Sequence, residues 1–308
     1  MSPTPPPQCL RAWPAALCLA LAGALMLASP AHAAGDKLLL TGGVSSVDGA
    51  AGGGLTPWAL IGSYAGTGQW GVTVFGSQLR SQDHRLGVRG MAAAWNDRVE
   101  LSLAQQHFDT GTTGTALGLP GLVLKQDIVG LKWHFAGDAV LDSDRLMPAL
   151  AVGVLAKRAD PGGLGSTLTS LGATRSGAEV YLSATKLLLA QSLLVNATLR
   201  VSKANQNGLL GFGGAAHNGH RVLPELSLAW LLHRSLAVGA EFRVKPDKLN
   251  PSALGAGLNE DHWRDLFLAW APNKHLSLTV AWVDLGAIVP AVNSKRQAGA
   301  CLSVQLAY

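Results

Sequence analysis

The composition of this 308-residue chain narrows the classes of protein to which it can belong. Only 14% of its residues are charged, and the formal net charge is +5. A weak, spread-out charge of this kind argues against a nucleic-acid partner. The charge content is also low for a soluble protein, in which about a quarter of the residues are charged.

The first 33 residues have the order of a secretory signal peptide. A single arginine precedes an apolar run over 15–28, and a small-x-small cleavage site ends at Ala33. The run is shorter than the roughly 20 apolar residues of a transmembrane helix, and the alternative is a buried N-terminal helix. Cleavage leaves residues 34–308, with Cys301 as the only cysteine. This excludes an internal disulfide and a cysteine-based metal site.

After the leader, hydrophobicity alternates with a period of two residues. In the segment 236–245, apolar side chains occupy every second position, and Glu241, Arg243 and Lys245 lie between them. Successive side chains of a strand point to opposite faces, so such a segment is apolar on one side and polar on the other. No later segment is apolar enough for a membrane-spanning helix. The pattern therefore predicts a closed transmembrane β-barrel.

The connections between these segments alternate in length. Four are tight turns, near residues 96–97, 190–191, 233–234 and 272–274. Between them lie long loops that are rich in glycine and polar residues, at 110–124, 160–176, 204–220 and 246–261. Outer-membrane barrels have short turns on the periplasmic side and long loops outside, so this alternation supports the barrel.

We count fourteen candidate strands in the mature chain. They cover residues 37–47, 55–64, 70–79, 85–95, 99–108, 125–135, 146–157, 177–189, 192–203, 222–232, 236–245, 262–271, 276–285 and 297–308. An even number places both chain ends in the periplasm, as a single antiparallel up-and-down barrel requires. The glycine-rich segment 41–54 could instead enter the lumen, and twelve strands is the second choice.

The last predicted strand carries the most specific local pattern. Its apolar face ends the chain and consists of Leu302, Val304, Leu306 and Tyr308. This face resembles the C-terminal signal that the barrel-assembly machinery recognises, and the alternative is an ordinary edge strand. Five tryptophans near strand ends fit aromatic girdles at the membrane surfaces: Trp133, Trp230, Trp263, Trp270 and Trp282.

Several blocks of the sequence resemble one known family. They are GGVSSVDGAAGGGLTPWALI at 42–61, SATKLLLAQSLLVNATLR at 183–200, KANQ at 203–206, GLLGFGG at 208–214 and PNKHLSLT at 272–279. On these blocks the chain resembles the domain-of-unknown-function 3034 family of exported proteobacterial proteins, over nearly all of its mature length. The resemblance implies an outer-membrane β-barrel and supplies no activity. It does not extend to the loop 215–220.

Charged strand residues should face the lumen, because a charge on the lipid face near the midplane costs about 2–4 kcal/mol. The alternation assigns seven of them to the lumen: Arg89, Lys132, Glu179, Arg200, Glu225, Glu241 and Arg243. Glu225 lies on the strand between those of Arg200 and Arg243, and Glu100 and Lys245 are further candidates. Two interpretations are open: ion pairs that only fix the barrel, or a lining that sets the ion preference of a pore.

No other pattern predicts a chemical site. His217 and His220 lie in a predicted external loop without the carboxylates that would complete a metal site. His107 and His134 could serve a membrane-embedded hydrolase, but no nucleophile motif accompanies them. We therefore predict no catalytic residue, no metal and no cofactor.

The sequence thus predicts an all-β protein of the bacterial outer membrane, in contact with lipid and placed there by the barrel-assembly machinery. A fourteen-strand cylinder holds more than its own side chains, which favours a porin-like channel for small solutes. The alternatives are a structural or lipid-handling barrel with a plugged lumen and, third, a hydrolase. We expect neither an enzyme nor a nucleic-acid partner.

Overall fold

The computed structural model describes residues 37–42, 44–140, 147–250 and 256–308. In these residues, twelve antiparallel strands form one closed barrel, in which neighbours in sequence pair and β12 pairs with β1. The strands are β1 (Trp70–Ser81), β2 (Arg85–Trp95), β3 (Val99–Asp109), β4 (Val123–Ala136), β5 (Ala149–Asp160), β6 (Ser176–Leu188), β7 (Leu193–Ser202), β8 (Arg221–His233), β9 (Leu236–Arg243), β10 (Trp263–Trp270), β11 (Leu276–Asp284) and β12 (Ala298–Ala307). The signal peptide expected at 1–33 lies outside the described residues.

The helices of the described residues are short. They are α1 (Gly111–Ala116) and α2 (Gly165–Ser170), with 3-10 turns at Gly162–Leu164, Leu189–Gln191, Asn205–Gly208 and Ala256–Leu258. None of them is long and apolar enough to cross a membrane. All except Leu189–Gln191 lie in the long connections at one end of the barrel.

The barrel confirms the predicted all-β antiparallel fold, but it has twelve strands, so the count of fourteen is wrong and the second choice is right. The predicted strands that fail are the first two, at 37–47 and 55–64. Their described residues form only isolated bridges, including Ser45 with Ala51 and Gly52 with Pro57. The reason is that side chains of the barrel wall satisfy many of their backbone groups, so no neighbouring strand has to do so.

The connections are short at one end of the barrel and mostly long at the other. The four predicted tight turns are confirmed at 96–98, 189–192, 234–235 and 271–275. The opposite end carries the connections 110–122, 161–175, 203–220, 244–262 and 285–297. Two connections depart from the rule, because 82–84 is short at the long-loop end and 137–148 is long at the short-turn end. We call these ends the short-turn rim and the long-loop rim.

Side chains alternate between the interior and the outer surface along the strands. On β9, Glu241 and Arg243 are 3% and 2% exposed, whereas Val238 and Phe242 are 39% and 38% exposed. Large apolar side chains are exposed in this way on all twelve strands or beside their ends. A soluble protein rarely exposes so much apolar surface, and a membrane-spanning barrel requires it.

Four of the five tryptophans assigned to the girdles do lie on the outer surface. They are between 46% and 56% exposed: Trp133, Trp230, Trp270 and Trp282. Trp263 is buried inside the barrel, so its assignment to a girdle is wrong. The alternation itself places it there, because Trp263 shares the inward face of β10 with Asp265 and Phe267.

The outer face of β9 gives a direct test of the barrel orientation. We expect Phe242→Arg to lower the yield of folded protein in lipid vesicles, because a lipid-facing arginine costs between about 0–1 kcal/mol near the membrane surface and about 2–4 kcal/mol at the midplane. Phe242→Leu, which keeps the site apolar, is the matched control. The yield is measured as the fraction that migrates faster on a gel before boiling. Equal yields for the two variants would contradict the assigned face.

Candidate functional site

The described residues of the segment 37–69, which we call the plug, run through the interior of the barrel. At its start, the Lys37 ammonium lies 2.6 Å from the carboxylate of Asp97, in the turn between β2 and β3. At its end, the Gln69 carbonyl oxygen accepts a hydrogen bond from the Asn96 N–H of the same turn. Both ends of the plug therefore lie at the short-turn rim.

Glu241 on β9 holds one bend of the plug. Its carboxylate accepts hydrogen bonds from the backbone N–H groups of Gly54 and Leu55 and from the hydroxyl of Thr56. A β-carbon at Gly53 would lie 2.1 Å from a carboxylate oxygen of Glu241, so a side chain there would push this carboxylate away from its hydrogen bonds to the plug. The plug is therefore glycine at this position so that its backbone can approach the wall.

The ion pair of Glu100 on β3 with Lys132 on β4 holds a second bend. The two residues are neighbours in register, are fully buried and lie 3.2 Å apart between Oε1 and Nζ. Glu100 accepts hydrogen bonds from the N–H groups of Ala51 and Gly62, at 2.9 and 2.6 Å. Lys132 donates to the carbonyl oxygens of Ala51 and Leu60, at 2.8 and 2.7 Å. The pair thus supplies hydrogen bonds that a neighbouring strand would otherwise supply.

Uncharged side chains of β6 and β7 hold the middle of the plug. The Pro57 carbonyl oxygen accepts hydrogen bonds from Thr198 and Ser183, at 2.9 and 3.2 Å. The Ala59 N–H donates to the hydroxyl of Thr185 at 2.8 Å. The polar inward faces of these strands therefore bind the backbone of the plug.

The plug contributes one carboxylate, that of Asp48, to an ion cluster inside the barrel. Asp48 lies 2.9 Å from Lys157 on β5, 2.9 Å from Arg243 on β9 and 3.4 Å from Arg200 on β7. Burial alone would raise the pKa of Asp48, but the charges of Arg243, Lys157 and Arg200 hold this pKa well below its usual range. Asp48 is therefore ionised at physiological pH and ties the plug to three strands.

Two wall carboxylates complete the cluster, Glu179 on β6 and Glu225 on β8. Glu225 lies 2.5 Å from Arg200 and 3.3 Å from Arg243. Glu179 lies 2.6 Å from Lys157 and 3.2 Å from Arg200. With the plug carboxylate, three cations meet three anions, and all six side chains are at most 3% exposed. The cluster is balanced in charge and buried inside the barrel.

An outer loop reaches the same cluster from the opposite side. In the loop 203–220, Asn207 donates from its amide nitrogen to Asp48 at 2.9 Å. Its amide oxygen accepts hydrogen bonds from Lys157 and Arg243, at 2.9 and 2.7 Å. The plug comes from the short-turn rim and the loop from the long-loop rim, and the two meet at this contact.

The structure brings together most of the charges that the alternation assigns to the lumen. Six are buried inside the barrel and contact the plug or belong to the ion cluster: Lys132, Glu179, Arg200, Glu225, Glu241 and Arg243. The assignment of Arg89 to the lumen is wrong, because its side chain is exposed on the outer surface. There it donates a hydrogen bond to Gln105, which itself donates to Asp127. The inward face of β2 belongs to apolar residues such as Val88 and Ala92, so the period of two turns Arg89 outward.

The predicted set lacks three residues. They are Asp48 and Lys157 of the ion cluster and Asn207 of the loop that contacts it. Lys157 lies on the inward face of β5, so the alternation of that strand could have found it. Asp48 and Asn207 lie outside the strands, where no periodic pattern marks a segment that folds into the barrel. Their glycine-rich surroundings are the one signal available in the sequence.

The remaining predicted residues form no second site. The proposed assembly signal is exposed on the outer face at the end of the chain, at Leu302, Val304, Leu306 and Tyr308. His217 and His220 are exposed in the outer loop. Within the described residues, no hydrogen bond joins His107 or His134 to a Ser or Asp side chain, and no group of three or more His, Cys, Asp or Glu could hold a metal ion.

Comparison with known protein families assigns the chain to one of them. The model of a family described as "Protein of unknown function (DUF3034)" matches residues 41–305. The chain belongs to the DUF3034 family. The match includes the plug from residue 41 onward and nearly all of the barrel, so both are parts of the DUF3034 sequence pattern. None of the curated proteins has a matching sequence.

Solved structures that resemble this DUF3034 protein are outer-membrane barrels. The KdgM porin is 9% identical, with a TM-score of 0.46 over 77% of this chain and 99% of that one. The NanC porin is 7% identical, with a TM-score of 0.48 over 76% and 98%. Outer membrane phospholipase A from Escherichia coli is 10% identical, with a TM-score of 0.40 over 77% and 92%. This DUF3034 protein is an outer-membrane β-barrel, as its closed sheet and apolar outer face require.

Proposed function

We propose that this protein is a gated outer-membrane channel for small solutes, which rests closed because the plug fills its lumen. The observation that carries the proposal is the course of the plug. Its two ends contact one turn at the short-turn rim, through Asp97 and Asn96. The plug can therefore leave the barrel as a hairpin, while all twelve strands keep their partners.

Apart from the ion pairs of Asp48, the contacts that hold the plug are mainly hydrogen bonds, which water can replace. Wall residues such as Glu100, Glu241 and Thr198 bind backbone groups of the plug through hydrogen bonds. A hydrogen bond contributes only about 0.5–1.5 kcal/mol net between neutral groups and about 1.5–3 kcal/mol to a charged group, because water offers the same partners. After the plug leaves, these side chains would line a polar passage, as a channel for small solutes requires.

Planar-bilayer recording of a plug-shortened variant tests the proposal. The Gly42 carbonyl oxygen accepts a hydrogen bond from the Ser63 N–H at 2.9 Å, so a short Gly-Ser linker can replace residues 43–62. We expect the intact protein to pass almost no current and the shortened variant to show stepwise openings. The control carries the same linker in place of 215–220, which is exposed in an outer loop, and should stay silent. Equal open currents in all three proteins would contradict the closed resting state.

A permanently plugged structural barrel is the second candidate. It is favoured by the ion cluster, in which three cations and three carboxylates pair completely and fix five strands to each other. The same recordings distinguish the two candidates. A plug-shortened variant that folds into the bilayer but passes no current would reject the channel and leave the structural role.

A further inference from the structure

The outer surface of the barrel differs between its two rims. At the short-turn rim it carries exposed aromatic side chains, those of Trp70, Trp95, Trp133, Trp230, Trp270 and Tyr308. At the long-loop rim, five strands instead have an exposed arginine or lysine among the three residues nearest that rim: Arg80, Arg85, Lys125, Arg158 and Arg264. Exposed cations at a membrane surface attract anionic lipid head groups. The long-loop rim therefore favours a different lipid environment from the short-turn rim.

Arg80 on β1 and Arg85 on β2, which we call the first arginine pair, lie directly opposite each other. They are partners in register, and both are exposed on the outer face. Like charges in this position are destabilising. Asp83 and Asp109 lie nearby, but their carboxylates accept hydrogen bonds from uncharged groups. In the described part of the chain, neither guanidinium of the pair has a hydrogen bond or an ion pair.

Arg264 on β10 and Arg296 in the loop 285–297 form a second arginine pair. Both bind the same carboxylate oxygen of Asp284, at 2.9 and 2.8 Å. Their side chains remain 55% and 52% exposed, whereas Asp284 is buried. One carboxylate compensates only one of the two positive charges. The second pair therefore keeps a net positive charge and presents it to the outside.

Small side chains separate the two arginine pairs. On β12, Ala298 lies opposite Asp284 in register, and Ala300 lies opposite Arg80. Neighbouring strands are about 4.8 Å apart, so β11 and β1 are about 10 Å apart. Ala300 is also the register partner of Trp282, whose ring is exposed on the outer surface. The surface between the pairs is therefore a shallow groove with an aromatic ring on one side and positive charge at both edges.

We propose that the outer surface of β10, β11, β12, β1 and β2 at the long-loop rim binds one membrane lipid whose head group carries two phosphate monoesters. Each arginine pair binds one phosphate, because the guanidinium fork matches the geometry of phosphate oxygens. Long loops of outer-membrane barrels lie on the external side, so the lipid belongs to the outer leaflet. This site goes beyond the proposed channel, and it binds its lipid whether or not the plug leaves the barrel.

Native mass spectrometry of the full protein in neutral detergent micelles, titrated with lipid, tests the site. The probes are lipid A, which has two phosphate monoesters, monophosphoryl lipid A, which has one, and phosphatidylglycerol, which has a single phosphodiester. We expect one tightly bound molecule of lipid A. Monophosphoryl lipid A should bind about 30-fold more weakly, since it leaves one arginine pair without a phosphate. Equal affinities for lipid A and phosphatidylglycerol would indicate a general attraction of anionic lipids and overturn the proposal.

Two double variants assign the binding to this surface. Arg80→Gln with Arg85→Gln should weaken the binding of lipid A about 30-fold. This variant should fold, because neither arginine has a partner in the described part of the chain. The matched control is Lys125→Gln with Arg158→Gln, which removes two exposed cations of the same rim that each have a carboxylate opposite in register. It should bind lipid A as the intact protein does. Equal affinities of the two double variants would overturn the proposal.

Discussion

Asp48→Asn should destabilise the folded barrel and allow intermittent current through it. The change removes the only plug carboxylate of the ion cluster and leaves Lys157, Arg200 and Arg243 with two wall carboxylates to share. Removing one partner of a buried ion pair typically costs about 3–5 kcal/mol of stability, because it leaves an uncompensated buried charge. We expect a loss of about 3 kcal/mol in the free energy of unfolding in vesicles, and brief openings in planar bilayers.

Asp160→Asn is the matched control for this change. Asp160 is exposed at the end of β5, and its carboxylate accepts a hydrogen bond from the nearby Gly162 N–H at 3.3 Å. An exposed interaction of this kind contributes little to the free energy of unfolding. The stability and the current of Asp160→Asn should therefore equal those of the intact protein. If Asp48→Asn proved as stable and as silent as Asp160→Asn, the ion cluster would not be what holds the plug.

Glu241→Leu should release the bend of the plug at residues 53–56. Glu241 accepts two backbone N–H groups and one hydroxyl of the plug, from Gly54, Leu55 and Thr56. A leucine accepts none, and each buried donor without a partner costs about 1–3 kcal/mol. We therefore expect a loss of at least about 3 kcal/mol in the free energy of unfolding. We also expect a protease added at the short-turn rim to cleave the plug faster.

Glu241→Gln keeps the size of the side chain and one acceptor oxygen but removes the negative charge. Its amide oxygen still accepts, so the loss of stability should be about half of that for Glu241→Leu, and cleavage of the plug should remain slow. Ser227→Ala removes a hydroxyl that also donates to Glu241, at 2.8 Å, without touching the backbone bonds of the plug. Equal protease resistance of Glu241→Leu and the intact protein would show that Glu241 does not hold the plug.

The barrel could be predicted from the sequence because each strand carries its own alternation of apolar and polar residues. The alternation on β9 separates Glu241 and Arg243 from Val238 and Phe242, and the structure places these pairs on opposite faces. The same rule predicted that Arg200, Glu225 and Arg243 lie side by side on three successive strands, where they form part of the ion cluster. Local periodicity was sufficient for each of these predictions.

The plug could not be predicted in the same way, because its partners are distant in sequence. Asp48 contacts Lys157 and Arg243, which are 109 and 195 residues away along the chain. The plug also contains short apolar runs, which is why two strands were assigned to it. Arg89 and Trp263 were misplaced because general expectations, charges inward and tryptophans at the membrane surface, took precedence over the period of two on their own strands.

Amide hydrogen exchange of the plug, in the intact protein in lipid, is the most direct test that the plug fills the lumen. Four backbone N–H groups donate to buried carboxylates of the wall, those of Ala51, Gly54, Leu55 and Gly62. The structure predicts that they exchange far more slowly than the amides of the exposed loop residues 215–220, because they open to water only when the plug leaves its place. Rapid exchange of these four amides beside protected strands would contradict a plugged lumen.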